Sequence, residues 1–582
     1  MRTRSRARGR SGWIVALAVG LAGCGSKGES PYASGDGGTT GGTDPSSSSG
    51  GSGAGGSSGG PGSLLPGDGG TTPITGDASS EQPTSCAAAA MENSYVGCEF
   101  WPTVVFNPVW STFDFAAVVA NASTQTAQIS VDRGGTSVTT TTVAPGDIAA
   151  IKLPWVTDLK GADFDSDTNG GRPTASVFVA GGSYHLTSSV PVTVWQYNPL
   201  EYEIPVSQCP YPPSIENGDG INCLSVSNDA SLLLPTAAMT GNYRIFAMPA
   251  TAGAGGAADV DAPDAIAITG TAANTTVTVN LAAGAGVVAG TGVNAADGGA
   301  AMSFTLNAGD VVELLATRGA YWGLADSDLS GSLVTASAPV QVISLNPITD
   351  VPSPAVAGQG FADHLEETVL PAESLGSHYV VAPPTTPNGN TVGHYVRFFG
   401  NRDNTTLTYT GTTPAGAPTT LNAGDVVQVP AAVTDPFEVQ GSNEFAIASI
   451  MMGGQAQDAN SNDPQGDPSM SFEVSVEQFR SKYIFLAPTD YAESYADILV
   501  PPGANVTLDG AALTAMPTSI DASWSIARVL LPTTGTGAHD LESNQPVGLQ
   551  IMGFGHATSY YTPGGLNLNH IAPPPPPPPP PK

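Results

Sequence analysis

Apolar and polar residues alternate along many short runs of this chain, and no stretch of useful length has helical spacing. In YHLTSSVPVTVWQYN, Thr187, Pro191 and Thr193 interleave with Val190, Val192 and Val194, the period of two that predicts a strand with one buried face. Comparable runs include FDFAAVVANAS, AIAITG, NTTVTVNL, HYVRFFGN, NTTLTYTG and YADILVPP. One corner recurs between them. LNAGDVV occupies Leu306 to Val312 and again Leu421 to Val427, and a looser copy, VAPGDIA, runs from Val143 to Ala149. A small residue followed by Gly-Asp between β-prone runs predicts a strand end, a permissive φ and a new strand.

The surroundings of the corner recur with it, which predicts repeated units at 86–223, 224–361, 362–465 and 466–562. The last keeps the opening and closing strands but lacks the Ala-Gly-Asp corner. Three closing runs share a Pro-Val step, Pro191-Val192, Pro339-Val340 and Pro546-Val547, where the third unit has Glu444-Phe445. Proline cannot donate to a ladder, so these read as edge strands or strand beginnings. Six to eight short strands in about a hundred residues predict an all-β fold of tandem β-sandwich-like modules. A β-propeller with two blades per unit is the alternative.

Length agrees with several domains, since 582 residues exceed a single core. Charged residues are only 12%, while Gly (71) and Pro (50) are abundant, a balance that favours strands and turns. The formal charge is −32, and removing the arginines of the first ten residues makes it more negative still. Nucleic acid is therefore not an expected partner, because no basic stripe exists to replace its counterions.

Those arginines precede an apolar run, Trp13 to Ala22, too short to span a bilayer but suited to a secretory leader. It ends in Leu21-Ala22-Gly23-Cys24, which resembles the bacterial lipobox. The resemblance implies a signal peptide at 1–23, lipidation of Cys24, and, with Gly25 following, the outer membrane and cell surface of a Gram-negative bacterium. Membrane contact is then through the lipid anchor alone. The Gly/Ser/Thr-rich linker of 24–85 buries too little to fold and reads as a disordered stalk. At the other end, 563–582 is a tail with prolines from Pro573 to Pro581, an extended polyproline II segment. Four further cysteines, Cys86, Cys98, Cys209 and Cys223, predict disulfides in an exported chain. They pair either locally, Cys86 with Cys98 and Cys209 with Cys223, or between the two pairs.

Three stretches carry a further likeness: GDPSMSFEVSVEQFRSKYIFLAPTDYAESYADILVPPGANVTLDG, DHLEETVLPAESLGSHYVVAPP and SNDASLLLPTAAMTGNYRIF. Together they resemble the N-terminal domain of the IgGFc-binding protein family over roughly 224–555. The resemblance implies a recognition or adhesion role toward a protein or glycan. It supplies no Fc-contact residue that transfers, and the cysteine-rich mucin modules of animal members are missing here.

Candidate chemistry is sparse. Asp163, Asp165, Asp167 and Asn169 stand at alternate positions and could hold Ca²⁺, although Thr168 and Thr174 occupy positions where an EF-hand loop has Gly and Glu. No other cofactor is expected. His364-Leu365-Glu366-Glu367-Thr368 falls short of HExxH, the GxSxG-like strings lie in the linker, and the Gly-rich strings at Gly284 and Gly290 lack a βαβ setting. No catalytic residue is therefore assigned. Tyr321, Trp322, Tyr560 and Tyr561 are the aromatic candidates for ligand contact. A surface hydrolase or an envelope spacer without a ligand are the alternatives to a recognition protein.

Overall fold

In the computed structural model, which describes residues 82–163, 171–208, 222–225, 227–249, 262–318, 327–352, 361–459 and 464–576, the two LNAGDVV copies take one conformation. Gly309 and Gly424 are left-handed, at φ +83° and +86°. The Asp310 and Asp425 amides donate to the Asn307 and Asn422 carbonyls at 3.0 Å. Their carboxylates accept from the Asn amides at 2.8 and 2.7 Å. Each corner is then pinned to the end of a neighbouring strand: Gly309 N donates to Gly270 O at 2.8 Å and Gly424 N to Gly400 O at 2.9 Å, and the strand-end amides return to the Asp carbonyls. The looser copy is built alike, with Gly146 at φ +71° and paired bonds between Asn121 and the Gly146-Asp147 turn.

Around these corners each unit forms two antiparallel sheets, as a sandwich-like module does. In the third unit one sheet runs His378–Val381, Phe437–Gly441, Thr405–Gly411, Thr420–Leu421, and the other Val426–Gln428, Tyr395–Gly400, Phe445–Ile450, Met470–Phe472. Tyr379, Phe398, Phe437, Val439 and Ile447 are buried in one cluster drawn from both sheets. Strand residues dominate the described chain, and helix is confined to short pieces such as Cys86–Glu92. The all-β class is thus shown.

Pro339-Val340 marks a strand beginning, as expected, since Val340–Asp350 starts there, but the other two Pro-Val steps have a role that is neither an edge nor a beginning. Tyr184–Tyr197 pairs with Ala127–Arg133 through its first half and with Phe115–Ala120 through its second, and Pro191 falls at the change. Ala538–Gly555 pairs with Arg480–Leu486 and then with Glu493–Val500, with Pro546 at the change. These are central strands that pass from one sheet to the other. The missing proline N–H falls where one ladder has ended and the next has not begun. Such a strand is also buried on both faces: Val192 and Val194 face the core of the first unit, while Trp195 and Tyr197 face a second core. The one-faced alternation read from the sequence therefore describes only half of this strand.

The units are knitted together by four linking strands. Ala230–Leu232 pairs with Tyr184–Tyr197, Ala362–Thr368 with Val340–Asp350, and Met470–Phe472 with Phe445–Ile450. Each opens one repeat while completing the sheet of the repeat before it. The fourth, Thr558–Pro563, closes the sheet of the last unit. The first lies against the second and fourth, and the third likewise packs on the second and fourth, so the four form a closed cycle. Beyond the fourth, Leu566 O accepts from Tyr95 N at 3.2 Å and Leu568 N donates to Asn93 O at 2.6 Å, which fastens the last unit to the first.

Candidate functional site at the meeting of the linking strands

Two of the tyrosines singled out from the sequence lie inside this cycle. Tyr560 and Tyr561 are 0% and 1% exposed, so neither is a surface residue able to meet a ligand. Tyr560 packs edge-on to Tyr197 and Tyr491 and donates to Ser494 Oγ at 3.1 Å. Burial on an alternating strand covers both of its faces here, because linking strands surround it. Tyr321 and Trp322 lie outside the described residues, as do Cys24, Cys209, Asp165, Asp167 and Asn169. Asp163 is described, and its carboxylate accepts from Lys160 Nζ at 2.7 Å and from Ser111 Oγ at 2.7 Å. Cys86 and Cys98 form a disulfide, the local pairing for that half, and Cys223 is also disulfide-bonded. The His364 to Thr368 string is a buried strand, so its residues have no helical i, i+4 relationship.

What gathers at the centre is polar and acidic. Asp229, Asp363, Glu366, Glu367 and Asp467 are each at most 1% exposed; Asp363, Glu366 and Glu367 belong to a linking strand, Asp229 directly precedes one, and Asp467 stands three residues before Met470–Phe472. They interlock the strands. Asp229 Oδ2 accepts from Glu366 N at 3.0 Å and Oδ1 from Ser469 Oγ at 2.8 Å. Asp363 Oδ2 accepts from Thr558 Oγ1 at 3.2 Å and Ser559 N at 3.3 Å, and Ser559 Oγ accepts from Asp467 N at 2.8 Å. Glu366 receives Gln196 Nε2 at 3.1 Å and Asn198 Nδ2 at 3.0 Å from the first unit. Thr368 N donates to Ser231 Oγ at 2.8 Å.

Burial without nearby cations disfavours the charged form of these acids. It holds Asp229, Asp363, Glu367 and Asp467 well above the usual carboxylate range. For Asp363 the Asp467 and Asp229 carboxylates push in the same direction. The hydrogen bonds oppose the shift, most visibly at Asp229, where two backbone N–H groups and one hydroxyl point at the carboxylate. Chemically the centre is a sealed network that fixes four units against one another, and any contact with a large ligand falls to the outer surface. Sequence reasoning passed over these acids. The available signal was positional, since Asp229, Asp363 and Asp467 each stand at the opening of a repeat.

The fold is thus an all-β assembly of related units closed through exchanged strands. The IgGFc binding protein family matches residues 229–553, more than half of the chain, and the chain belongs to that family. The match begins at the first linking-strand acid and leaves the first unit outside it, although that unit completes the cycle. No curated protein matches the chain. Two solved structures show a faint likeness. One is an anti-sigma factor domain-containing protein from Clostridium clariflavum, at 11% identity over 52% of this chain and 84% of that one, with a TM-score of 0.09. The other is an anti-sigma factor domain-containing protein at 10% identity over 54% and 93%, also with a TM-score of 0.09. At such scores neither bears on fold or function.

Proposed function

We propose that this is a recognition protein of the bacterial cell surface, held by a lipid on Cys24 and raised on the 24–85 linker, which binds a protein ligand through the outer surface of its β units. The family match over 229–553 is the observation that carries this reading, because the family is described by the protein it binds. A rigid body of interlocked sheets supports it, since a preorganised surface loses little freedom on binding. The strongly acidic composition favours a neutral or basic ligand face over an anionic one. Immunoglobulin Fc is the first ligand to test, followed by other proteins and glycans.

The full-length chain immobilised on a sensor should bind Fc or another arrayed protein saturably, with Fab as the control. Absence of saturable binding to any arrayed protein would leave the recognition reading without support. The anchor is tested separately: Cys24→Ser should release the chain from the membrane fraction and abolish detergent partitioning, and a variant that still partitions would remove the lipid from the proposal.

A further inference from the structure

The outer sheet of the second unit runs Asn242–Arg244, Leu333–Ala336, Thr275–Asn280, Ala301–Leu306, and its last strand is an edge. All six residues of that strand pair with Thr275–Asn280 without a bulge. Thr276 N donates away from the edge, to Ser337 Oγ at 2.9 Å, and Leu281 N donates toward it, to Ala300 O at 2.9 Å. Backbone groups alternate in direction along a strand, so Met302, Phe304 and Leu306 bond inward, and the N–H and C=O groups of Ala301, Ser303 and Thr305 point outward. Among the described residues none of these outward groups has a partner. The side chains of the same three residues are exposed, while Met302 and Leu306 are buried in the core.

The strands that stand before the same corner in the first and third units are blunted. Thr136–Val143 has a bulge that leaves Val138 without a partner, and Thr420–Leu421 has only two residues. Bulges and short lengths keep an edge from pairing with another chain, as do proline and charge. Ala301–Leu306 has none of these devices. Between Asp264 and Asp310 the only charged residue is Asp297, in a chain whose formal charge is −32.

Charge selects the occupant. A chain this acidic attracts basic surfaces and repels its own kind, and a basic partner gains nothing from a charge-free edge. Two copies approach most easily where their charges are absent. Antiparallel pairing about a two-fold axis is self-complementary, since each outward N–H meets a C=O of the same strand in the other copy. The small side chains of Ala301, Ser303 and Thr305 leave room for the second strand.

We propose that Ala301–Leu306 pairs antiparallel with the same strand of a second copy, joining the outer sheets of two second units into one. Six residues reach about 20 Å, a contact at the small end of specific interfaces, so the dimer exchanges freely with monomer in the micromolar range.

Sedimentation equilibrium of the full-length chain tests the pairing, with Cys24→Ser in every sample so that no lipid clusters the copies. A monomer–dimer equilibrium is expected, and it should tighten as salt screens the repulsion between two acidic bodies. Ser303→Lys, which sets like charges across the axis, should weaken the dimer about tenfold or more. Ser303→Pro removes an outward N–H but no bond to Thr275–Asn280, so it should weaken the dimer and leave the fold in place. Ser303→Thr should keep the dimer, and Thr140→Lys, on the bulged edge of the first unit, should leave it unchanged. Self-pairing requires no ligand, so this outcome is independent of the binding assay above. A monomer at every concentration would assign the edge to another occupant and overturn the proposal, as would a dimer that neither Ser303→Lys nor Ser303→Pro weakens.

Discussion

Ser469 donates its hydroxyl to Asp229 Oδ1 at 2.8 Å, joining the opening of the fourth unit to the opening of the second. The same carboxylate takes Ala230 N at 2.9 Å and Glu366 N at 3.0 Å, so one acid answers three donors in a place water does not reach. Removing the acceptor strands all three, whereas removing Ser469 Oγ strands none. Asp229→Ala should therefore cost about 3 kcal/mol of stability and Ser469→Ala about 1 kcal/mol. Urea unfolding checks the ratio. Equal losses would mean that Asp229 is not the node of the network.

The corner pair gives a second, purely steric expectation. Gly400 has ordinary backbone angles, but a β-carbon there would lie 2.0 Å from Asn422 O and 3.1 Å from the Leu421 β-carbon. Gly411 has φ +79° with nothing within 4 Å of an added β-carbon. Alanine at Gly411 should cost about 1 kcal/mol, the price of a left-handed alanine. At Gly400 the overlap is with backbone that a hydrogen bond holds in place, and about 3 kcal/mol is expected. Thermal melts of the two variants decide it, and a milder effect at Gly400 would contradict the pinned corner.

These two cases also mark what could be read in advance. The corner was legible because its cause is local: Gly309 and Gly424 need positive φ, and the Asn and Asp that close the turn lie within four residues. The linking strands were not, because nothing local in ASL or MSF shows that these residues complete the preceding sheet. Their partners, Tyr197 and Ile450, are selected by tertiary contact. Proline misled for the same reason. Pro191 correctly signals an interrupted ladder, but whether the interruption is an edge or a change of sheet depends on strands far away in sequence. Tyr560 and Tyr561 carry no local sign of their burial, because the fourth linking strand is enclosed by strands far away in sequence.

Cys86 and Cys98 close a short loop that holds the helix Cys86–Glu92 against strand Gly97–Phe100. With a separation of 12 residues, the bond restricts the unfolded chain by about 3 kcal/mol. The helix is otherwise held by the Ser85 cap, whose hydroxyl accepts from Ala88 N at 3.2 Å, and by one buried alanine. Replacing both cysteines by serine should lower the first unfolding transition and raise proteolysis near Met91, which is 83% exposed. Limited proteolysis with mass mapping is the measurement, and unchanged cleavage there would show that the helix stays docked without the bond.

His185 sits between two carboxylates, Nε2 at 2.8 Å from Glu99 Oε1 and Nδ1 at 3.2 Å from Asp132 Oδ2, with Trp101 stacked on its ring at 4.4 Å. The Glu99 bond, followed by Asp132, raises the imidazole above its ordinary value of 6.5, against the opposing effect of partial burial. Glu99 moves the other way, held down chiefly by the His185 hydrogen bond. A raised histidine stabilises the fold fully below its unfolded value and loses that contribution as pH rises through the folded one. A lowered glutamate contributes above its unfolded value and loses that contribution as pH falls through the folded one. The pair is therefore strongest between about 4.5, the ordinary glutamate value, and 6.5, the ordinary histidine value, and its contribution fades as pH rises from there through the raised histidine value. Both partners are partly exposed, so screening limits the gain to about 0.5 kcal/mol. His185→Gln should lower stability by that amount at pH 5.5 and by less at pH 8.5. Trp101 fluorescence, sensitive to the charge of the stacked ring, should titrate with a midpoint above 6.5 in the unaltered chain and lose that transition in the variant. A midpoint at or below 6.5 would show that the two carboxylates do not hold the proton.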